Sequence, residues 1–233
     1  MVNVIGLGYI GLPTALMMAS HGVEVIGTDY NSELVSTLNA GKTTFKEDGL
    51  DELFQNAVNA GIRFTTEYQV TNTYIVSVPT PYDKFSKKVD PCYVIAAVKD
   101  VIKVAPQGAT VVIESTISPG TIDKSVRPVI VAEGRTDLQL VHAPERIIPG
   151  NMVYELLHNN RTIGADDKAV GEQIKKLYSS FCMGEIVVTD IRTAEMTKVV
   201  ENTFRAVNIA FANELAKICR HDNMDVYAST KIY

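Results

Sequence analysis

"MVNVIGLGYIGLPTALMMAS", residues 1–20, carries no charged side chain. Such a stretch suits either a membrane or export segment, or the opening of a nucleotide-binding fold. An export signal has a cationic start, a short apolar core and a small-residue cleavage site. Here no Lys or Arg precedes Lys42. A spanning helix needs about 20 mostly apolar residues, but Gly6, Gly8, Gly11 and Pro13 interrupt this run with residue types that weaken a helix. The second reading accounts for those interruptions. Residues 2–5 form a short buried strand, "GLGYIG" (6–11) is a G-x-G-x-x-G turn, residues 12–20 begin a helix, and "HGVEVIGTD" (21–29) supplies the next strand. In such a unit Gly6 permits the tight turn and Gly8 lets the backbone approach a pyrophosphate. Gly11 allows helix and strand to pack closely, and the free N–H groups of the helix receive the phosphate charge.

Asp29 ends the second strand, where a carboxylate binds the hydroxyls of an adenosine ribose and repels a 2′-phosphate. No Arg follows it, so the expected cofactor is NAD. Composition agrees with a globular fold. A hydrophobic content of 46% is ordinary for a globular chain. A net charge of −5 argues against nucleic acid or an anionic membrane as partner. Cys92, Cys182 and Cys219 are widely spaced and form no C-x-x-C pair, as expected of free thiols in a reducing, cytoplasmic compartment. No metal-ligating spacing stands out.

Farther along, "RFTT", "TYIVSVP", "ATVVIEST", "LQLVHAP", "RTIGA" and "EIVVT" read as strands. Helical patterns separate most of them: "LDELFQNAVNAG", "PCYVIAAVKDVIKVAPQG", "PGTIDKSVRPVIVAEG" and residues 168–181. That alternation predicts an α/β, Rossmann-like, doubly wound and mostly parallel sheet with helices on both faces. "PTPYDKFSKKVDP" is the one loop rich in breakers and charge. From Ile191 to His221 nothing breaks a helix, which predicts a long C-terminal helix. The expected division is a Rossmann-like domain over 1–190, a connecting or dimerisation helix over 191–222 and a short tail over 223–233.

Small polar residues recur where strands end, the edge at which α/β sheets bind ligands. They are Thr80 in "SVPTPYD", Thr116 in "ESTISPGT", and Glu145 and Arg146 in "HAPERIIPG". Taken singly, each also suits a turn or a helix cap. In the long helix, Met196, Val200, Phe204, Val207, Phe211 and Ile218 fall on one face, while Lys198, Asn202 and Arg205 lie opposite. That polar stripe is either a solvated face or part of an active site, and periodicity alone leaves both open.

"GLGYIGLP", "SVPTP", "ESTISPGT", "HAPERIIPG" and "AEMTKVVENTFRAVNIAFANELA" occur in the order and context of the UDP-glucose/GDP-mannose dehydrogenase family, which this chain resembles up to Tyr227. The similarity is greatest to the branch acting on UDP-N-acetyl-D-mannosamine. The resemblance implies oxidation of a sugar C6 hydroxyl to a carboxylate, with two NAD reduced per UDP-sugar. By matching motif it implies that Tyr9, Ile10 and Asp29 hold NAD, helped by Thr80 and Thr116. Arg146 and Ile147 would lie against substrate beside Glu145. Lys198 would be the general acid/base, Asn202 its partner on the reacting oxygen, and Arg205 a further substrate contact. A Lys and an Asn one turn apart suit a step in which an oxygen loses its proton and its developing charge is stabilised.

The family completes its second oxidation through a cysteine thiolate in a glycine-rich segment of a second, UDP-binding domain. No cysteine here lies in such a setting, and "VYASTKIY" leaves the family pattern after Tyr227. The expectation is therefore the cofactor-binding part of a dehydrogenase, without the nucleophile. Two other readings stand beside it. One is a silent NAD-binding module that forms a homodimer through the long helix. The other is a two-electron dehydrogenase of the β-hydroxyacid type, against which stands "PERIIPG" in place of a Ser-Gly-Gly loop.

Overall fold

The computed structural model describes residues 1–148 and 150–230. Pro149 of "PERIIPG" and the closing "KIY" of the tail lie outside the described residues. The chain opens with strand β1 (Val2–Ile5), helix α1 (Gly11–Ser20) and strand β2 (Val25–Thr28). Helices α2 (Ser32–Asn39) and α3 (Leu50–Asn59) follow, then β3 (Arg63–Thr65) and β4 (Thr73–Val76). A small hairpin, β5 (Tyr82–Asp83) with β6 (Lys88–Val89), leads to α4 (Cys92–Val104) and β7 (Thr110–Ile113). A π-helical turn (Ile122–Val126) runs into α5 (Arg127–Ala132), then β8 (Gln139–His142), α6 (Met152–His158) and β9 (Arg161–Ala165). Helix α7 (Lys168–Tyr178), β10 (Ile186–Thr189), α8 (Ile191–His221) and α9 (Val226–Thr230) complete it.

The main sheet has eight strands in the order β10-β9-β8-β7-β4-β1-β2-β3. All neighbours are parallel except β8 and β9, which run antiparallel. The order reverses at β1, so the ends of β1 and β4 flank the crevice in which such sheets take ligands. Apolar cores fill both faces. Leu12, Leu16, Phe54, Met152 and Tyr178 belong to one, and Val98, Val101, Ile113, Val126 and Ile130 to the other.

The uncharged opening now has a physical cause. Every residue of α1 from Gly11 to Ala19 is buried, because α1 packs on the sheet and against both α3 and α6. An amphipathic helix would leave polar residues unpaired there. Among the described residues no helix is long and apolar enough to cross a membrane.

Several elements differ from the sequence expectations. Helix α2 is short, and the Asn31 side chain fixes its start by accepting the Glu33 and Leu34 N–H groups at 3.0 and 3.1 Å. The charged loop holds the β5–β6 hairpin. The segment read as one helix over "PGTIDKSVRPVIVAEG" is divided into a π-helical turn and α5, with Pro128 in the first turn of α5. Helix α7 ends at Tyr178 rather than Phe181. The long helix spans 31 residues, with the Asp190 carboxylate accepting the Thr193 N–H at its start.

Candidate active site

The glycine turn takes the form its spacing requires. Gly6 has φ of +88°, and a Cβ there would stand 2.7 Å from the Ser77 carbonyl oxygen. A Cβ on Gly11 would lie 1.9 Å from the Gly6 carbonyl oxygen, so helix and turn meet only through glycine. At Gly8 a Cβ would meet nothing within 4 Å, because this backbone faces an open cavity. No side chain caps the start of α1, and no carboxylate occupies its first turn. A backbone free to approach a ligand, with uncapped N–H groups behind it, fits a dinucleotide pyrophosphate. Asp29, nearly buried at the end of β2, accepts the Leu7 N–H on Oδ2 (2.8 Å) and the Asn31 N–H on Oδ1 (2.9 Å). It ties the turn to β2, and each oxygen keeps a second lone pair for a ribose hydroxyl.

The cavity in front of this turn measures about 280 Å³. Gly8, Tyr9 and Ile10 line it from the turn, and Ser77 to Thr80 from the end of β4. Glu114 to Thr116 line it from the end of β7, Glu145 and Ile147 from the segment after β8, and Lys198 from α8. Of the strand-end residues, Thr80, Thr116 and Glu145 thus converge on one cavity, whereas Arg146 does not line it. The Thr80 hydroxyl donates to the Thr116 carbonyl oxygen (2.7 Å), and Ser115 Oγ donates to the Val78 carbonyl (2.7 Å). These bonds hold the β4 and β7 loops together across the crevice.

Lys198 is brought here by a carboxylate that the sequence reading overlooked. Glu195 is fully buried in the first turns of α8 and accepts the N–H groups of Gly120 (2.5 Å) and Ile122 (2.9 Å). The helix is thereby pinned against "PGT". One turn on, the Lys198 Nζ donates to the main-chain oxygen of Glu145. Burial holds its amine below the usual lysine range, with Glu145 and Glu201 opposing that shift. A lysine so placed can take or return a proton.

The other members of the stripe separate. Asn202 is exposed and lines neither described cavity. Arg205 lines a second, polar cavity of about 330 Å³ together with Arg146, Ile148, Glu155 and His158. Arg146 forms an ion pair with Glu201 at 2.5 Å. Arg146 and Ile147 therefore face different cavities.

Five further residues shape the site without having been singled out in the sequence. Glu47 accepts the Tyr9 hydroxyl (2.6 Å), while Phe45 packs 5.0 Å from the Tyr9 ring, which anchors the turn to the loop before α3. Behind the cavity, Arg161 at the start of β9 is bonded to Glu145, and Tyr178 and Glu114 are enclosed beside it. A carboxylate closing the apolar run "TVVIE" and an arginine opening "RTIGA" were the available signals. Of the three free cysteines, Cys92 is exposed and the other two are buried. None lines the cavity around Lys198.

Comparison with known proteins agrees with this geometry. Residues 1–182 match the NAD binding domain of the UDP-glucose/GDP-mannose dehydrogenase family, and residues 192–232 match its central domain. A UDP-N-acetyl-D-mannosamine dehydrogenase of Methanococcus maripaludis is 42% identical over 99% of this chain and 54% of its own length. An NDP-N-acetyl-D-galactosaminuronic acid dehydrogenase of Ralstonia nicotianae is 41% identical over 97% of this chain and 56% of its own. The solved UDP-N-acetyl-mannosamine dehydrogenase of Staphylococcus aureus superposes with a TM-score of 0.87 at 42% identity, covering 99% of this chain and 57% of that one. The chain spans about half the length of the curated relatives it matches.

Proposed function

Since the chain belongs to the UDP-glucose/GDP-mannose dehydrogenase family, we propose that it supplies the NAD site and the proton-transfer lysine of a nucleotide-sugar 6-dehydrogenase. The substrate we assign is UDP-N-acetyl-D-mannosamine, oxidised to the corresponding uronate. One observation carries the proposal: a single cavity joins the glycine turn to Lys198. Bound NAD would supply the hydride acceptor for C6, two being reduced for each uronate formed. Gly8 and the start of α1 receive the pyrophosphate, and Asp29 takes the ribose. Tyr9, Ile10, Thr80 and Thr116 frame the cavity in which the reacting carbon must lie. Lys198, its amine made less basic by burial, removes the C6 hydroxyl proton as the hydride leaves. Glu145 holds Lys198 in place through its main-chain oxygen. Arg146 and Arg205, in the adjoining polar cavity, bind the anionic part of the sugar nucleotide. Asn202 acts once substrate bridges it to Lys198. The free thiols are in keeping with a cytoplasmic protein.

A specific observation also favours a second reading, an NAD-binding module that dimerises through α8. Residues 202–214 are all exposed, and Phe204 and Phe211 are 72% and 67% exposed. Thermal shift with NAD, run beside absorbance at 340 nm with NAD and UDP-N-acetyl-D-mannosamine, separates the two. NADH that disappears in Lys198→Ala supports the dehydrogenase. Stabilisation by NAD without NADH would mean a folded cofactor half that needs the nucleophile and the UDP-binding domain for turnover, and a dimer in light scattering would then support the module. The absence of both signals would refute the cofactor site itself.

A further inference from the structure

At the wall of the cavity, where Glu114 and Glu145 line it, lies a buried charged cluster in which the chemistry above gives Glu114 and Arg161 no task. Glu114 follows β7, and its Oε1 accepts from the hydroxyls of Tyr178 (3.1 Å) and Thr14 (3.4 Å). Arg161 Nη1 stands 3.7 Å from the same oxygen, beyond hydrogen-bond reach. Glu114 Oε2 and Arg161 Nη1 are both buried without a hydrogen-bond partner among the described residues, although the Ser77 side chain also faces the carboxylate. The other arm of Arg161, Nη2, is bonded to Glu145. The guanidinium itself lies 4.6 Å from the Tyr178 ring centroid and 5.6 Å from that of Phe181. Glu145 in turn holds Lys198 by its main-chain oxygen. Two carboxylates thus face one guanidinium, and only one of them is hydrogen-bonded to it.

Unpaired buried donors and acceptors cost free energy. A movement of about 0.8 Å would bring Nη1 to a normal hydrogen-bond distance from Glu114, a shift of the guanidinium that also moves the Nη2 bonded to Glu145. We propose that Glu114 is a positioning residue of the site, which sets through Arg161 how Glu145 and Lys198 are held. This deepens the proposed function by naming what tunes its lysine. The groups facing Glu114 are Arg161 from β9, Tyr178 from α7, Glu145 from the segment after β8, and the uncharged Thr14 and Ser77. Ionised Glu114 competes with Glu145 for Arg161. Protonated Glu114 leaves the guanidinium to Glu145 and removes a negative charge from the neighbourhood of Lys198. Burial pushes the Glu114 carboxyl up to about 7, with Arg161 opposing, so the exchange falls near neutrality.

The test follows Lys198 itself and needs neither NAD nor substrate. In the chain labelled with 13Cε-lysine, the Lys198 signal is assigned by its absence from Lys198→Arg and followed from pH 5 to 11. In the wild type its curve carries a minor inflection near neutrality. In Glu114→Gln that inflection vanishes and the main midpoint falls by about 0.5 pH unit, as expected when a nearby negative charge is lost. Tyr178→Phe, which removes one donor to Glu114, moves the minor inflection to higher pH. It also decides the matter should Glu114→Gln fail to fold. A Lys198 curve identical in the wild type and in the folded variant overturns the proposal, because a purely structural Glu114 would alter melting temperature alone. NAD-induced thermal shift of the same samples reports separately on the cofactor reading.

Discussion

Replacing Glu114 by Gln should change how the stability of the chain depends on pH, in a direction fixed by two buried groups. The Glu114 carboxyl is held up to about 7 by burial, against Arg161, from an ordinary value of 4.5. Between those limits the folded chain keeps a proton that the unfolded chain has released. The stabilisation is complete below about 4.5 and is lost as pH rises through 7. At 1.36 kcal/mol per pH unit this amounts to about 3 kcal/mol. His142 on β8 behaves in the opposite sense. Its imidazole is enclosed, with Nδ1 2.8 Å from the Ile113 carbonyl oxygen, and burial pushes its pKa down from 6.5 to about 4. The unfolded chain carries the extra proton there, so stability is lost as pH falls from 6.5 towards 4, again by about 3 kcal/mol. The two slopes oppose each other, and wild-type stability should be nearly flat across their overlap. Glu114→Gln leaves only the histidine slope. Urea unfolding followed by far-ultraviolet circular dichroism, in half-unit steps from pH 4.5 to 7, should show the variant gaining about 3 kcal/mol on the wild type as pH rises. Comparing two proteins that differ at one group cancels the remaining titrations. A difference that stays constant, or that shrinks with pH, would refute the reasoning.

Gly11→Ala should cost about 3 kcal/mol or more in urea unfolding, since its Cβ would stand 1.9 Å from the Gly6 carbonyl oxygen; Gly8→Ala, facing open space, should unfold like the wild type and lose affinity only for NAD. Asp29→Ala removes the acceptor of the Leu7 and Asn31 N–H groups, and calorimetric titration should show NAD affinity at least about tenfold lower. On the outer face of α8, Phe204→Glu should leave the melting temperature of a monomeric chain unchanged, because that side chain is 72% exposed, and should lower that of a dimer. The same change should convert a dimer into a monomer in light scattering, and a monomeric wild type would set aside the dimerisation reading.

What the sequence made legible is local, and what it concealed is non-local. The glycine turn could be read because every constraint on it acts within one strand, one turn and one helix. Gly6 needs a positive φ and Gly11 needs a missing Cβ, and both needs appear as fixed spacings. The Arg161–Glu114–Glu145 cluster has no such signature. Its members come from three separate strands or strand ends, and a charged residue flanking an apolar run looks alike whether it points to solvent or inward. The β5–β6 hairpin was hidden for a related reason, since two residues per strand leave no alternation to detect.

The long helix shows where periodicity stops being informative. A 3.6-residue repeat correctly places Lys198, Asn202 and Arg205 on one stripe, opposite the phenylalanines. It is a property of the helix alone, however, and is blind to where the helix leaves the domain. Glu195 anchors the first turns to the Gly120 and Ile122 N–H groups, so Lys198 arrives in the cavity. From residue 202 to 214 every residue of the helix is exposed, with Arg205 reaching only the second cavity, so Asn202 belongs to the same stripe without belonging to the same pocket. Membership of the site is set by that departure point. The residue that fixes it is Glu195, a buried carboxylate in the sequence "TAEMTK". Its meaning depends on two backbone N–H groups more than seventy residues earlier.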